Sequence, residues 1–162
     1  MKIFNSVVTP TVLYGSCCWT MTKSRQQKLA SAQRRMLRRI CGFYHSDSDE
    51  ETWVEWIQTA THEAEAAAYE AGVLPWVVLQ RERKWLWAGQ TARKNDNRWS
   101  QEALLWTPST RSRDAGRPLM RWTDCLERFA ASFDDTPGSD WYLMAQDASS
   151  WSSCTADFCE MD

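Results

Sequence analysis

Arginine pairs are the side chains whose type and spacing best suit a chemical task in this sequence. Four arginines fall within residues 34–39, so a helix would carry them on adjacent turns. A guanidinium group is planar, always charged and matched to phosphate oxygens. Contact with a nucleic-acid backbone is therefore one interpretation of two groups of basic residues. These are Arg34, Arg35, Arg38 and Arg39, and Arg83, Lys84, Arg93, Arg117 and Arg121. For the first group, a solvated face paired with the acidic residues of 47–70 is equally consistent with the sequence.

The sequence shows no set of residues in the arrangement that a catalytic site needs. Polymerases need two metal-binding aspartates in a strand-turn-strand beside a third carboxylate. The one Asp-Asp pair, Asp134-Asp135, instead falls between a predicted helix and a Pro-Gly turn. His45 and His62 have no Ser or Cys nucleophile in a suggestive setting, and no Gly-rich phosphate loop is present. We expect no catalytic residue and no enzymatic activity from this chain alone.

The six cysteines do not show the pattern of a metal site. Structural zinc sites use ligand pairs two to four residues apart, repeated twice, whereas Cys154 and Cys159 are five apart. Cys17-Cys18 is better interpreted as a small apolar step beside Trp19. We predict no metal, no cofactor and free thiols, as in a reducing intracellular compartment, nuclear or cytoplasmic. Neither a signal peptide nor a run long enough to span a membrane is visible.

The net charge of −2 conceals separate blocks of opposite sign. Residues 1–46 carry eight basic side chains and no acid, and residues 47–70 carry eight acids and no Lys or Arg. Residues 81–121 hold ten basic and four acidic side chains. Such blocks either pair with one another or form a basic face backed by an acidic one, and the sequence leaves both open.

Hydrophobic periodicity throughout is helical, without the alternation of a strand. We predict an all-α fold, an irregular bundle of about six or seven helices that forms one domain or two small lobes. The predicted helices cover 23–41, about 48–71, 75–94, 98–106 and 118–134, with a last one after Ser139; residues 2–15 form a short helix or an extended segment. The predicted organisation is a helical region at 1–106, a linker at 107–117, a C-terminal helical pair at 118–151 and a disordered tail at 152–162.

Eleven tryptophans are a high number for 162 residues. Most would anchor the core of a helical protein. Any that served as stacking platforms for bases would have to be exposed beside basic groups.

Four segments together resemble the C-terminal part of reverse transcriptases from non-LTR, or LINE-type, retrotransposons. They are Pro10-Thr-Val-Leu-Tyr14-Gly15 with Trp19; Leu29 with Gln33-Arg34-Arg35-Met36-Leu37-Arg38-Arg39-Ile40 and Gly42; Arg83-Lys84-Trp85-Leu86-Trp87-Ala88-Gly89 with Arg93; and Gly116-Arg117-Pro118 with Arg121-Trp122, Asp124, Trp141, Ala145-Gln146-Asp147 and Trp151. The chain departs from the usual sequence pattern of these reverse transcriptases at Gln90, Ala148 and Cys17-Cys18.

The resemblance implies thumb and post-thumb helices that grip template and primer, without the catalytic core. The polymerase core would then lie upstream or act in trans. The expected partner is RNA or an RNA–DNA hybrid, bound weakly, without sequence specificity and in a salt-sensitive way. The alternative is a helical protein-interaction module, or an inert relic, whose arginines only neutralise its own acidic helix.

Overall fold

The computed structural model describes residues 1–45, 52–94, 99–106, 120–133 and 140–161. Every regular element in these ranges is helical, which confirms the all-α prediction. None of these helices combines the length and the apolar character that crossing a bilayer requires. A π-helical turn at Phe4–Val8 leads into α1 (Thr9–Val12), and a 3-10 turn at Ser16–Cys18 precedes α2 (Lys23–Ile40). There follow α3 (Trp53–Glu70), α4 (Trp76–Ala92), α5 (Trp99–Leu105), α6 (Asp124–Ala130), α7 (Trp141–Met144), α8 (Ala148–Ser153) and α9 (Thr155–Glu160).

The chain divides into two compact units. The first comprises Met1–Tyr14 with Thr22–Leu79, and the second comprises Gly15–Met21 with Gln80–Asp162. The division falls inside the continuous helix α4, whereas the sequence predicted it at the linker 107–117, which lies outside the described residues. A boundary within a helix has no Pro, Gly or Ser run to mark it, so composition could not reveal it.

In the first unit, Trp76 organises the packing. Its fully buried ring stacks on Phe4 at a centroid distance of 5.5 Å, and its Nε1 donates to Thr9 Oγ1 at 3.0 Å. Gln33 closes the arrangement: its Oε1 accepts from the Trp76 N–H at 2.8 Å, and its Nε2 donates to the Leu74 carbonyl at 2.9 Å. A buried glutamine is tolerated here because both ends of its amide are satisfied.

The helix pair α2 and α3 belongs to the first unit, and sequence signals set its ends. Thr22 Oγ1 accepts from the Arg25 N–H, and Gly42 leaves the last turn of α2 with a φ of 81°. Ser48 and Glu51 have the spacing of a capping box but lie outside the described residues. Thr52 and Glu55 form a capping box, so α3 begins at Trp53 and not near residue 48 as predicted. The small side chains of Ala60, Ala64 and Ala68 form the buried face of α3.

Helical periodicity places Met36 and Ile40 on the apolar side of α2 and Trp53 on that of α3, but these positions are only partly covered. Met36 and Ile40 are 39% and 49% exposed, and α2 buries Gln33 and Leu37 instead. Trp53, placed on the apolar side of α3, is 57% exposed. Periodicity identifies the apolar side of a helix, but it cannot say how much of that side the neighbouring elements cover.

The second unit has an aromatic core built around Trp85 and Trp151. Trp85, Trp151 and Phe158 are at most 2% exposed, and Leu126 and Phe129 of α6 pack with them. Further buried members are Ala88, Ala92, Leu104, Ala130, Trp141 and Ala145. Most tryptophans of this unit therefore serve as core anchors, as expected.

Two C-terminal predictions were wrong. Residues 120–123 are not helical and α6 begins at Asp124, because the Asp124 carboxylate accepts from the Arg121 N–H at 2.9 Å and holds the preceding turn. The predicted last helix is broken into α7 and α8, capped by Asp140 and Asp147, while the expected cap Ser139 lies outside the described residues.

The predicted disordered tail instead forms α9. Phe158 and Cys159 of this helix are 2% and 8% exposed, because Phe158 packs against Trp85 and Phe129. An acidic segment with two apolar residues carries too little periodicity to predict such docking.

Candidate nucleic-acid interface

Helix α2 is the most strongly basic element in the described part of the chain. It carries seven Lys or Arg residues and no acid over its eighteen residues. Its buried face is occupied by Gln33 and Leu37, so the charged side chains are directed away from the core of the first unit. The two arginines of its last turn, Arg38 and Arg39, also lie at the negative end of the helix dipole.

The neighbouring helix α3 engages two of the four predicted arginines. Arg34 Nε donates to Glu65 Oε1 at 2.7 Å, between side chains that are each about half exposed. Arg38 is partly buried and its Nη1 donates to Thr61 Oγ1 at 2.7 Å. An exposed ion pair contributes only about 0–1 kcal/mol, so α3 positions these arginines more than it stabilises the fold.

Arg35 and Arg39 complete the first group and are exposed. The ion pair between α2 and α3 is that of Arg34 with Glu65, and neither Arg35 nor Arg39 has a carboxylate partner among the described residues. They lie one turn apart, about 6 Å along the helix axis. This spacing allows both guanidinium groups to contact one negatively charged strand at the same time.

The second group of predicted arginines belongs to the second unit and differs in character. Lys84 is 3% exposed; its Nζ donates to the Trp122 carbonyl at 2.6 Å and lies 4.6 Å from the centroid of the Trp122 ring. Burial lowers the pKa of this ammonium group, and nearby Cys125 acts in the opposite direction. Arg93 is partly buried and its Nη1 donates to the Ala145 carbonyl at 2.7 Å.

The structure does not bring the second group together as one open surface. Arg83 and Arg121 are partly buried, and Arg117 lies outside the described residues. Arg81, which the sequence did not single out, also serves packing, since its Nη1 donates to the Cys159 carbonyl at 2.9 Å. The sequence carries only a weak signal for this packing role of the basic side chains. They lie on a tryptophan-rich helix with few acids nearby, and such side chains can donate to backbone carbonyls of later segments.

Two of the segments that carry the family resemblance meet in the core of the second unit. Trp85 and Trp151 stack with parallel rings 3.5 Å apart and exchange hydrogen bonds, each indole N–H donating to the other's carbonyl at 2.9 and 3.0 Å. A Cβ atom at Gly89 would lie 2.6 Å from Cδ1 of Trp151 and closer still to its Nε1. Glycine at this helical position therefore makes room for the indole.

No metal site is formed by the described residues, where no three His, Cys, Asp or Glu side chains converge. The six cysteines are free, and the Cys17 and Cys18 sulfur atoms lie 3.8 Å apart. Asp134 and Asp135, the adjacent aspartates of the sequence, lie outside the described residues.

Comparison with known proteins adds an indication of origin. The chain is 28% identical over 156 residues to a Caenorhabditis elegans protein described as transposon-derived. The match covers 93% of this chain and 52% of the relative, so the chain spans about half the length of that protein. No protein-family model matches the chain. No solved structure matches it either.

Proposed function

We propose that this chain is a non-catalytic, retroelement-derived segment that binds the backbone of RNA or of an RNA–DNA hybrid through helix α2. The similarity to a transposon-derived protein supports the origin. The four segments that resemble the thumb and post-thumb region of LINE-type reverse transcriptases support the finer assignment. The polymerase core would be supplied upstream or in trans.

The observation that carries the binding proposal is the exposure of Arg35 and Arg39 on a helix without acidic residues. Phosphate contacts release counterions, and this makes the affinity fall as the salt concentration rises. Because Arg34 and Arg38 contact α3, they orient toward that helix, and Arg35 and Arg39 remain available to a strand. We therefore expect weak, sequence-independent binding in which these two residues contribute most.

The direct test is an anisotropy titration of a labelled RNA–DNA hybrid at several salt concentrations between 50 and 300 mM. The double variant Arg35→Glu/Arg39→Glu should lower the slope of log Kobs against log salt by about one unit for each phosphate group that the variant no longer binds. The single variants Arg39→Glu and Lys94→Glu form a matched pair, because each changes the net charge by the same amount. Lys94 is exposed but belongs to the second unit, so it serves as the control for Arg39. An affinity that does not change with salt would disprove backbone binding.

The second candidate is a helical interaction module whose arginines neutralise its own acidic helix. The ion pair between Arg34 and Glu65 is the observation that favours it. Under this alternative, Arg35→Glu/Arg39→Glu would lower the thermal unfolding midpoint. Neither the wild-type protein nor the variant would then show detectable nucleic-acid binding. Under our proposal the midpoint changes little, because exposed substitutions away from a packed contact usually alter stability by about 0.5 kcal/mol or less.

A further inference from the structure

Three aromatic rings form a cluster at the start of α3, next to the end of α2. The ring of His45 lies 5.3 Å from the rings of both Trp53 and Trp56, and the two indoles are 5.0 Å apart. His45 meets each indole edge-on, with interplanar angles of 69° and 79°. These contacts fix the orientation of the indole rings without an external ligand.

Trp53 is exposed in spite of these contacts. It is 57% accessible, whereas Trp76, Trp85 and Trp151 are at most 1% accessible. Trp99 and Trp106 are exposed as well, but neither has a ring neighbour in the described part of the chain. Trp53 thus combines an open surface with a fixed ring, and such a platform loses little side-chain entropy when a flat ligand stacks on it.

The cluster lies on the same helix pair as the exposed arginines. Arg34 contacts Glu65 and Arg38 contacts Thr61, so α2 and α3 run antiparallel and the end of α2 lies beside the start of α3. Trp53 precedes Thr61 by eight residues, or about 12 Å along the axis of α3. About three or four stacked nucleotides span this distance.

The charge distribution decides which part of a nucleotide this end of the helix pair could accept. The Glu55 carboxylate accepts from the Thr52 N–H and hydroxyl at 3.1 and 2.6 Å. Negative charge opposes a phosphate here but leaves the uncharged face of a base unaffected.

From this arrangement we infer that Trp53 stacks on an unpaired base of a single-stranded nucleic acid whose phosphates are held by α2. The inference rests on the proposed function and names the form of nucleic acid that the site prefers. Stacking requires a base with a free face, which a single strand offers and a duplex keeps covered. The chain should therefore prefer a single strand, or a hybrid with a single-stranded overhang, to a blunt duplex.

The test compares a uridine oligonucleotide with an abasic strand of equal length and charge. The wild-type protein should bind the uridine strand more tightly, and Trp53→Ala should lower that affinity by about five- to 100-fold while leaving the abasic strand unaffected. Tyr69→Ala is the matched control, since Tyr69 is an 84% exposed aromatic residue on the same helix. Trp53→Phe should keep most of the preference, which separates stacking from a folding defect.

The salt dependence separates this inference from the proposed function. The decrease in affinity caused by Trp53→Ala should be the same factor at 50 and 300 mM salt, because stacking releases no counterions, whereas Arg35→Glu/Arg39→Glu changes the slope. Equal wild-type affinity for uridine and abasic strands, or a preference that survives Trp53→Ala, would overturn the stacking inference and leave backbone binding intact. Failure of the wild-type protein to bind either strand would also overturn the stacking inference. If the protein failed to bind the RNA–DNA hybrid as well, the proposed backbone binding would be overturned too.

Discussion

At the scale of single residues, Gly89 shows how a close contact determines a residue type. We predict that Gly89→Ala destabilises the protein, because the added Cβ meets the Trp151 indole, which the stack with Trp85 and two hydrogen bonds hold in place. Overpacking of this kind typically costs about 1–3 kcal/mol, against about 1 kcal/mol that alanine gains over glycine in a helix. Urea unfolding followed by circular dichroism would measure the change.

The control for this prediction is Gln90→Ala, one residue further along α4. Gln90 is exposed, and we expect its replacement to change the free energy of unfolding by about 0.5 kcal/mol or less. If Gly89→Ala were as stable as Gln90→Ala, the result would contradict the close packing of the Trp151 indole against α4 at Gly89.

The second residue-scale prediction concerns the buried ammonium group of Lys84. Burial lowers its pKa in the folded protein, so the unfolded chain binds more protons between the folded pKa and the ordinary value of 10.5. The free energy of unfolding should therefore rise with pH across this window. The Lys84→Met variant should lack this rise. Urea unfolding between pH 7 and 10.5, with a reductant present, would give both curves; parallel curves would contradict the prediction.

At the scale of elements, the caps of the short C-terminal helices should control their acid stability. Asp147 caps α8: its carboxylate accepts from the backbone N–H and hydroxyl of Ser149 and from the hydroxyl of Ser150. The hydrogen bonds from Ser149, followed by that from Ser150, lower the Asp147 pKa from 3.8 to about 2. A carboxyl group with a lowered pKa stabilises the fold above its ordinary pKa, and this contribution disappears as the pH falls through the folded value.

We therefore expect wild-type protein to lose stability between about pH 4 and pH 2 more steeply than Asp147→Asn. Thermal unfolding midpoints measured over this range would show the difference. Between pH 6 and 7 the two proteins should respond to pH in parallel, which serves as the internal control. An equal acid response in both proteins would show that the cap does not hold Asp147 ionised.

The elements also show how far local signals reach. The predicted ends of α2 and the predicted end of α3 agree with the structure to within one residue. Thr22, Gly42 and Gly72 stand at these ends, and capping depends on residues close in sequence. The start of α6 was not predictable in the same way: Trp122 Nε1 donates to the Cys17 carbonyl, a contact over 105 positions. α9 likewise depends on a core that closes around Phe158.

At the scale of the whole molecule, the expected lack of polymerase activity can be tested directly. We predict that the chain alone does not extend a DNA primer on an RNA template in the presence of Mg²⁺ and nucleotides. The reason is that Asp134-Asp135 is its one pair of adjacent aspartates, and the sequence predicts a helix before this pair and a Pro-Gly turn after it instead of a strand-turn-strand. Primer extension resolved on a denaturing gel is the measurement. Incorporation that disappears in Asp134→Asn/Asp135→Asn would contradict the prediction and place a metal site there.

The sequence by itself determined the helical class, both ends of α2, the end of α3 and the separation of charge, because these depend on periodicity, caps and composition. Only the tertiary structure decided which basic groups remain on the surface. Lys84 and Arg93 stand in the same kind of pattern as Arg35 and Arg39, yet they donate to the Trp122 and Ala145 carbonyls. Burial of a side chain depends on which distant segments pack against it, and no local pattern records that. For the same reason only the folded chain separated Trp53, open beside a basic helix, from the indoles of the core.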